Sequence, residues 1–289
     1  MSGLEHDRPV GPGHVIFIGA GPGAVDLITL RGARRLADAE VVLFDALTDP
    51  AFRDFAPRAR WIDVGKRGFS AEPGQSSTVQ ERINALLVQH ALRGAVVVRL
   101  KGGDPSIFGR LEEELQALAA AGIAAEIVPG VTAATAAAAA TQRPLTRRGA
   151  GRNVSLSTAM TREGELQATR TADTEVFYMA GRQLAALSRR LAGAGWPATT
   201  PVSVTSRTGW PDELQSDHSV QTLAHATVLH AGRPTVVTVG AGAAPVAPGA
   251  RSTGLVTANA GGPTAMASPS RCVRPADVTA NPAEVPSRS

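Results

Sequence analysis

A charged loop beside a run of β-branched residues carries the groups of this chain that are best suited to chemistry. The stretch begins with the apolar residues 96–98 and continues as Arg99-Leu100-Lys101-Gly102-Gly103-Asp104-Pro105, so that the run ends in a charged, glycine-paired loop. Adjacent glycines let the backbone approach a ligand with no Cβ in the way, while the aspartate offers an acceptor and the proline stiffens the exit. Open α/β sheets bind ligands at the carboxyl ends of their strands. We interpret the segment as a buried strand that delivers a binding loop, with an ordinary strand-to-loop turn as the alternative.

Two lysines mark two such loops. Lys66 and Lys101 are the only lysines in the sequence, and each lies beside glycine after a predicted strand. Lysine supplies a compact, titratable ammonium that arginine does not. Both residues are therefore candidates for a chemical role, with a solvated strand-end position as the alternative for Lys66.

A glycine-rich turn follows the first predicted strand. Gly19, Gly21 and Ala24 have the spacing of the dinucleotide-binding fingerprint, and Asp45 ends the second strand, where a ribose-binding acid would lie. An NAD(P)-dependent oxidoreductase is therefore one candidate function. Pro22 weighs against it, because proline removes a backbone N–H from the loop that would cradle the pyrophosphate.

The hydrophobic pattern around these loops predicts an α/β protein. Strands expected over 15–18, 41–44, 61–64, 96–100 and 125–128 alternate with helices, which is typical of a parallel sheet. The pattern restarts beyond residue 144, and from residue 246 the composition falls to small and polar residues that cannot form a core. We predict a disordered lead-in over 1–13, an N-terminal α/β domain over 14–143, a C-terminal α/β domain over 144–245 and a disordered, dispensable tail over 246–289.

Composition excludes several classes of function. The 289 residues are 43% hydrophobic and only 4% aromatic, with a formal charge of +4. Scattered basic residues without interleaved aromatics do not form a nucleic-acid surface, and no apolar run reaches the length of a membrane span. Cys272 is the single cysteine, which leaves no intrachain disulfide and no CxxC metal site. We expect a cytoplasmic protein with a small-molecule substrate and no nucleic-acid, membrane or metal partner.

Eight short motifs occur in one order along the chain. They are Gly19-Ala20-Gly21-Pro22-Gly23, Asp45, Gly65-Lys66-Arg67, Leu100-Lys101-Gly102-Gly103-Asp104-Pro105, Phe108-Gly109-Arg110, Pro129-Gly130-Val131-Thr132, Pro144-Leu145-Thr146 and Tyr178-Met179. Together they resemble the tetrapyrrole methylases over residues 14–243. The two lysine-containing motifs favour an early member of that family over the later corrin-ring methylases. The resemblance implies two α/β domains with the active site in the cleft between them, S-adenosylmethionine as methyl donor, a tetrapyrrole substrate and a homodimer.

The resemblance also implies roles at single positions. Asp45 corresponds to the proton acceptor, Lys66 to the proton donor and Arg110 to a substrate-carboxylate contact. The implied cofactor contacts are Pro22, Gly102, Gly103, Asp104, Ile107, Thr132, Ala133, Met179 and the neighbourhood of Thr208. Methyl transfer from a sulfonium needs alignment and exclusion of water, and loss of a proton makes a pyrrole carbon more nucleophilic, which suits general acid and base groups. A turn or capping role is the alternative for Asp45.

Three places depart from the family pattern. Leu111 and Glu112 replace the usual Gly-Gly, Arg147 stands where histidine is common, and Ser206 and Arg207 replace a common Glu-Asn. These changes bear on the loop geometry and on the edge of the adenosine pocket. A different tetrapyrrole methylase and a non-catalytic S-adenosylmethionine-binding module remain further alternatives.

Overall fold

Two five-stranded sheets form the framework of the protein. The computed structural model describes residues 13–65, 75–160 and 166–246, with no side-chain description for 75–78. Lys66, the predicted lead-in before Gly13 and the predicted tail beyond Val246 lie outside these residues. The two sheets agree with the expected α/β class, while the boundary between residues 143 and 144 stays a prediction.

The first sheet is entirely parallel and has the order β3-β2-β4-β1-β5. Its strands are β1 (His14–Gly19), β2 (Val41–Phe44), β3 (Arg60–Asp63), β4 (Val96–Lys101) and β5 (Ala125–Val128). The connecting helices are α1 (Leu30–Ala37), α2 (Gln75–Leu92) and α3 (Leu111–Ala120), and α4 (Ala133–Ala140) follows β5. Because all five strands are paired in parallel, their carboxyl ends lie at one edge of the sheet.

Burial on both faces explains why the central strands are so apolar. Ile16 and Ile18 of β1 pack on one side of the sheet with Leu36 of α1, whereas Phe17 packs on the other side with Leu87 of α2. A strand covered on both faces reads as a continuous hydrophobic run rather than an alternating one. The apolar runs of the sequence therefore locate β1 and β4 correctly.

The second sheet is mostly antiparallel and has the order β6-β7-β10-β8-β9, in which only β6 and β7 are paired in parallel. Its strands are β6 (Val154–Thr158), β7 (Thr174–Tyr178), β8 (Pro201–Ser206), β9 (Leu214–Ser219) and β10 (Thr235–Gly240). Helices α5 (Leu184–Gly193) and α6 (Ala226–His230) accompany it. The sequence did not predict β9, because this edge strand reads Leu-Gln-Ser-Asp-His-Ser and carries no apolar alternation.

Helix α1 does not start at the glycine-rich turn. A 3₁₀ turn at Val25–Leu27 precedes α1, which begins only at Leu30. Thr29 caps α1, since its Oγ1 accepts a hydrogen bond from the backbone N–H of Gly32 at 3.0 Å. The glycine-rich turn is thus separated from the helix by several residues.

A buried arginine ties the end of α4 to the second sheet. Arg143 is 4% exposed, and its Nη1 and Nη2 donate to the two carboxylate oxygens of Asp217 at 2.5 and 2.6 Å. Nη1 also donates to the carbonyl of Ala243 at 3.1 Å.

Across the described ranges, no helix is both long enough and apolar enough to cross a membrane.

Candidate cofactor and substrate site

The two glycine loops singled out in the sequence are bonded to each other. The backbone N–H of Gly103 donates to the carbonyl of Gly21 at 2.7 Å, and the N–H of Gly21 donates to the carbonyl of Gly103 at 3.2 Å. Both residues have positive φ, +77° at Gly21 and +71° at Gly103, which glycine adopts without steric cost. A Cβ on Gly19 would lie 2.6 Å from the Cα of Gly130. The loops after β1, β4 and β5 therefore meet with their backbones in contact.

Asp104 holds two of these loops together. Its Oδ1 accepts from the N–H of Ser106 at 2.8 Å, and its Oδ2 accepts from the N–H of Gly130 at 2.9 Å. Ionised acceptors bonded to backbone N–H groups make strong hydrogen bonds. The Asp104 carboxylate is thus a hydrogen-bond acceptor, as the sequence suggested. In this structure its two oxygens join the loop after β4 to the loop after β5.

Three of the implied cofactor contacts meet in one apolar cluster. Ile107, Ala133 and Met179 each pack against one core formed by residues of α4, β7 and β10. Thr132 belongs to the same place, because its hydroxyl lies 2.8 Å from the hydroxyl of Tyr178. Residues spread over more than seventy positions of sequence thus border the same core.

Backbone strain concentrates in the loops around this cluster. The non-glycine residues Phe108, Arg110, Met179 and Arg207 have φ between +51° and +57°. Such conformations are costly and are found preferentially where function fixes the backbone. The rings of Phe108 and Tyr178 lie 5.0 Å apart and join the loop after β4 to the end of β7.

A tryptophan that the sequence did not single out joins the remaining cofactor candidates. The indole Nε1 of Trp210 donates to the carbonyl of Pro22 at 3.0 Å. Thr208, two residues earlier, is 6% exposed. The loop after β8 therefore contacts the glycine-rich turn after β1, and Pro22 and Thr208 lie on the two sides of that contact.

Asp45 directly follows β2, close to the predicted position, and it is linked to a buried network of charges. Nη2 of Arg99, a side chain with no exposed surface, donates to Oδ1 of Asp45 at 2.6 Å. Nε of Arg99 donates to Glu114 at 3.1 Å, and Glu114 is also paired with Lys101. The four charged groups follow one another in the order Asp45, Arg99, Glu114 and Lys101, so that each is paired with a group of opposite charge. Buried charges are tolerated when they are paired in this way. Asp45 is the one of the four with appreciable exposure.

Lys101 is therefore not displayed to a ligand in the way its position suggested. It is the last residue of β4, it is 3% exposed, and its ammonium is directed to Glu114. Burial lowers the pKa of Lys101, and the nearby Arg99 guanidinium lowers it further, against the opposing effect of Glu114. Neither Arg99 nor Glu114 was predicted, because arginine within an apolar strand gives no sign of its partner.

Arg110 lies at the junction between the loop after β4 and helix α3. Its φ is +54°, and its Nε and Nη2 donate to the carboxylate of Glu113 at 2.6 and 2.5 Å. The departure at Leu111 and Glu112 is explained by α3, which begins at Leu111 and has acidic residues in its first turn, where the helix dipole favours them. The role of Arg110 toward a substrate stays a prediction.

The departure at Arg147 has a local explanation as well. Its guanidinium donates to the backbone carbonyls of Ala244 and Pro245 and so fixes the segment after β10. Arg147 also borders an open cavity of about 540 Å³, and a second cavity of about 370 Å³ lies beside Trp196. Neither cavity is bordered by an implied cofactor contact, so the candidate cofactor site is defined by the loops that meet after β1, β4 and β5.

Comparison with known proteins shows similarity to one family of methylases and to curated relatives in it. The family model described as Tetrapyrrole (Corrin/Porphyrin) Methylases matches residues 14–224. The uroporphyrinogen-III C-methyltransferase of Pseudomonas aeruginosa is 44% identical over 196 residues, which cover 66% of this chain and 78% of that protein. Siroheme synthase 1 of Serratia proteamaculans is 44% identical over 217 residues, which are 73% of this chain but only 44% of the relative. The chain thus spans less than half the length of that protein.

Solved structures are similar to this chain over 79–80% of its length. Uroporphyrin-III-C-methyltransferase from Thermus thermophilus has a TM-score of 0.66 at 38% identity, covering 79% of this chain and 92% of that one. A structure of the Thermus thermophilus enzyme complexed with S-adenyl homocysteine has a TM-score of 0.67 at 32% identity, covering 79% and 97%. A cobalt precorrin-4 methyltransferase has a TM-score of 0.69 at 28% identity, covering 80% and 96%.

Proposed function

Because the chain belongs to the tetrapyrrole (corrin/porphyrin) methylase family, we propose that it methylates uroporphyrinogen III with S-adenosylmethionine. The proposed product is precorrin-2, formed by transfer of two methyl groups to ring carbons C2 and C7, for sirohaem or cobalamin synthesis. The observation that carries the proposal is the convergence of Ile107, Ala133 and Met179 beside the paired loops of Gly21 and Gly103. The relatives and the complex with S-adenyl homocysteine support it.

The loops fit the proposed methyl donor. A Cβ built on Gly103 meets no atom within 4 Å, and one built on Gly102 meets only Leu47 at 3.8 Å. The backbone at these glycines therefore borders open space that a side chain would fill. When bound, S-adenosylmethionine supplies a methyl group carried on a positively charged sulfur. Gly102, Gly103, Asp104, Ile107, Thr132, Ala133, Met179, Pro22 and Thr208 are the residues proposed to hold it.

Asp45 is the proposed general base. Arg99 holds its Oδ1, and among the described residues Oδ2 accepts no hydrogen bond. One oxygen is thus fixed in place while the other is available to a substrate proton at the carboxyl end of β2. A positioned carboxylate of this kind suits general-base catalysis. Lys66 is proposed as the proton donor from its sequence position alone, since it lies outside the described residues.

Arg110 is the proposed contact for a substrate carboxylate. Guanidinium groups bind carboxylates through paired hydrogen bonds, and Arg110 already binds Glu113 in this way. A substrate carboxylate would have to share or replace that partner. The pair therefore presents a guanidinium whose orientation is fixed before the substrate arrives.

The oxidoreductase alternative finds less support in the geometry. In dinucleotide-binding folds the helix starts within the glycine motif and its N-terminal N–H groups face the pyrophosphate. Here α1 begins at Leu30, and the N–H of Gly21 is bonded to Gly103. A methylase of a later corrin intermediate is a closer alternative, given the similarity to the cobalt precorrin-4 enzyme.

Calorimetry separates these functions at the level of the cofactor. We expect the full chain to bind S-adenosylhomocysteine saturably and to show no binding of NADH or NADPH under the same conditions. Binding of a nicotinamide cofactor without S-adenosylhomocysteine binding would overturn the proposal.

The proposal also includes a homodimer and a cytoplasmic location. Light scattering of the same sample tests the homodimer, and fractionation of the source cells tests the location.

A further inference from the structure

The contact between Trp210 and the glycine-rich turn is unusually close. Besides the hydrogen bond from Nε1 to the Pro22 carbonyl, a Cβ added to Gly23 would lie 2.5 Å from Cδ1 of the indole ring. A Cβ added to Gly209 would lie 3.1 Å from the backbone nitrogen of Ala24. Only glycine at position 23 lets the ring approach this far, so the turn after β1 and the loop after β8 are fitted to each other.

The loop that carries Trp210 is itself held rigidly. The guanidinium of Arg207 lies over the indole ring at 4.5 Å, a distance typical of a cation–π contact. Nε of Arg207 also donates to Asp212 at 2.7 Å, and Glu213 accepts from the N–H of Gly209 at 2.8 Å. Arg207 is one of the residues that depart from the family pattern, and its side chain serves here to stack on Trp210.

We propose that Trp210 is a positioning residue for the methyl donor, which fixes the Pro22 carbonyl and closes the edge of the cofactor site between the two sheets. This inference rests on the proposed function, because Pro22 and Thr208 are cofactor contacts only under that function. Trp210 follows Thr208 by two positions in the chain and contacts the backbone of Pro22. It acts through these residues and takes no part in proton transfer.

The chain contains a matched control for this role. Trp196 also donates its Nε1 to a backbone carbonyl, that of Thr169 at 2.8 Å, and has an arginine, Arg170, over its ring at 5.4 Å. It lies away from the implied cofactor contacts, at the cavity of the second sheet. Replacing either tryptophan by phenylalanine keeps an aromatic ring and removes the N–H donor.

The first experiment compares Trp210→Phe with Trp196→Phe. Loss of one hydrogen bond predicts that Trp210→Phe raises the Kd for S-adenosylhomocysteine about three- to tenfold. Turnover at saturating S-adenosylmethionine should change less than about twofold, because the reacting groups are untouched. Trp196→Phe should leave the Kd unchanged. Equal affinity in the two variants, or an equal loss in both, would overturn the inference.

A second experiment uses the fluorescence of Trp210 itself. The Trp61→Phe/Trp196→Phe variant retains Trp210 as the only tryptophan of the three in the sequence. Titration with S-adenosylhomocysteine should change its emission saturably, with the Kd that calorimetry gives. Unchanged emission while calorimetry shows binding would overturn the role of Trp210 and leave the methyltransferase proposal standing. Absence of S-adenosylhomocysteine binding in the unaltered chain would overturn the proposed function and the inference with it.

Discussion

Asp45 and Arg99 form an ion pair that reaches from the core to the edge of the first sheet, with 2.6 Å between Oδ1 and Nη2. The arginine is fully buried, whereas the aspartate keeps 16% of its side chain exposed. A buried cation thus fixes one oxygen of an aspartate that keeps part of its side chain exposed. This arrangement suits either a positioned general base or a structural anchor for Arg99, and the two roles predict different behaviour.

Asp45→Asn distinguishes them. The amide oxygen can still accept from Arg99, so we expect a stability loss of only about 1–2 kcal/mol. Removal of the basic carboxylate should lower turnover about 10²- to 10⁴-fold, with little change in affinity for S-adenosylhomocysteine. Turnover and affinity are measured on one preparation, with Asp49→Asn as control, because Asp49 caps a neighbouring 3₁₀ helix. Near-normal turnover with lowered stability would identify Asp45 as an anchor.

Gly103→Ala tests the cofactor loop. At φ +71° the new Cβ costs about 1–2 kcal/mol of stability, so the substitution is not neutral for folding even though the added methyl meets no protein atom. Because that methyl enters the proposed cofactor space, affinity for S-adenosylhomocysteine should fall at least about tenfold, by loss of ~1.4 kcal/mol or more. Gly122→Ala, at φ +67° with equally open surroundings, should lose similar stability and retain full affinity. Equal affinity of the two variants would place the cofactor elsewhere.

Glu114→Gln tests the buried network. Glu114 has no exposed side-chain surface and is paired with both Arg99 and Lys101, so removing its charge should lower the free energy of unfolding by about 3–5 kcal/mol. Glu112→Gln, at an exposed position of the same helix turn, should change it by less than about 0.5 kcal/mol. Adding Lys101→Met to Glu114→Gln should restore part of the loss. Urea denaturation measures all three, and a stable Glu114→Gln protein would contradict the network.

His230 predicts a loss of stability in mild acid. It is fully buried between the hydroxyls of Ser206 and Ser216, at 2.8 Å from each, and burial lowers its pKa to about 4. The unfolded chain, with a histidine pKa near ~6.5, binds more protons in this range. The free energy of unfolding therefore has its full value above about pH 6.5. It declines by up to about 3 kcal/mol as the pH falls toward 4, because protonation of His230 favours the unfolded chain.

The control for this pH dependence is a second histidine variant. His230→Asn should flatten the slope of unfolding free energy against pH, whereas His14→Gln, at an exposed position of β1, should leave it unchanged. His218 contributes a slope of the same sign, because burial also lowers its pKa. A slope as steep in His230→Asn as in the unaltered chain would contradict the assignment.

The sequence indicates correctly those features that depend on local pattern. Buried parallel strands have continuous apolar sequences, so the hydrophobic pattern predicts β1 and β4. The glycine loops that follow these two strands belong to the site that we propose. The order of the eight motifs predicted the family, which the comparisons confirm. The α/β class with two sheets is also confirmed.

Features that depend on distant packing were not foreseen. Trp210 and Pro22 are 188 positions apart, and no local pattern links them. Arg99 appears within an apolar strand, and its partner Glu114 is part of an ordinary acidic helix start. The strand β9 is polar because it lies at an edge, so hydrophobic alternation could not reveal it.

Direct conversion of the substrate tests the central claim. The full chain is incubated with S-adenosylmethionine and enzymatically generated uroporphyrinogen III, and the products are analysed by mass spectrometry. We predict a tetrapyrrole product that has gained two methyl groups, formed through a singly methylated intermediate, with two equivalents of S-adenosylhomocysteine released. An unchanged tetrapyrrole, in a preparation that binds S-adenosylhomocysteine, would contradict the proposed substrate.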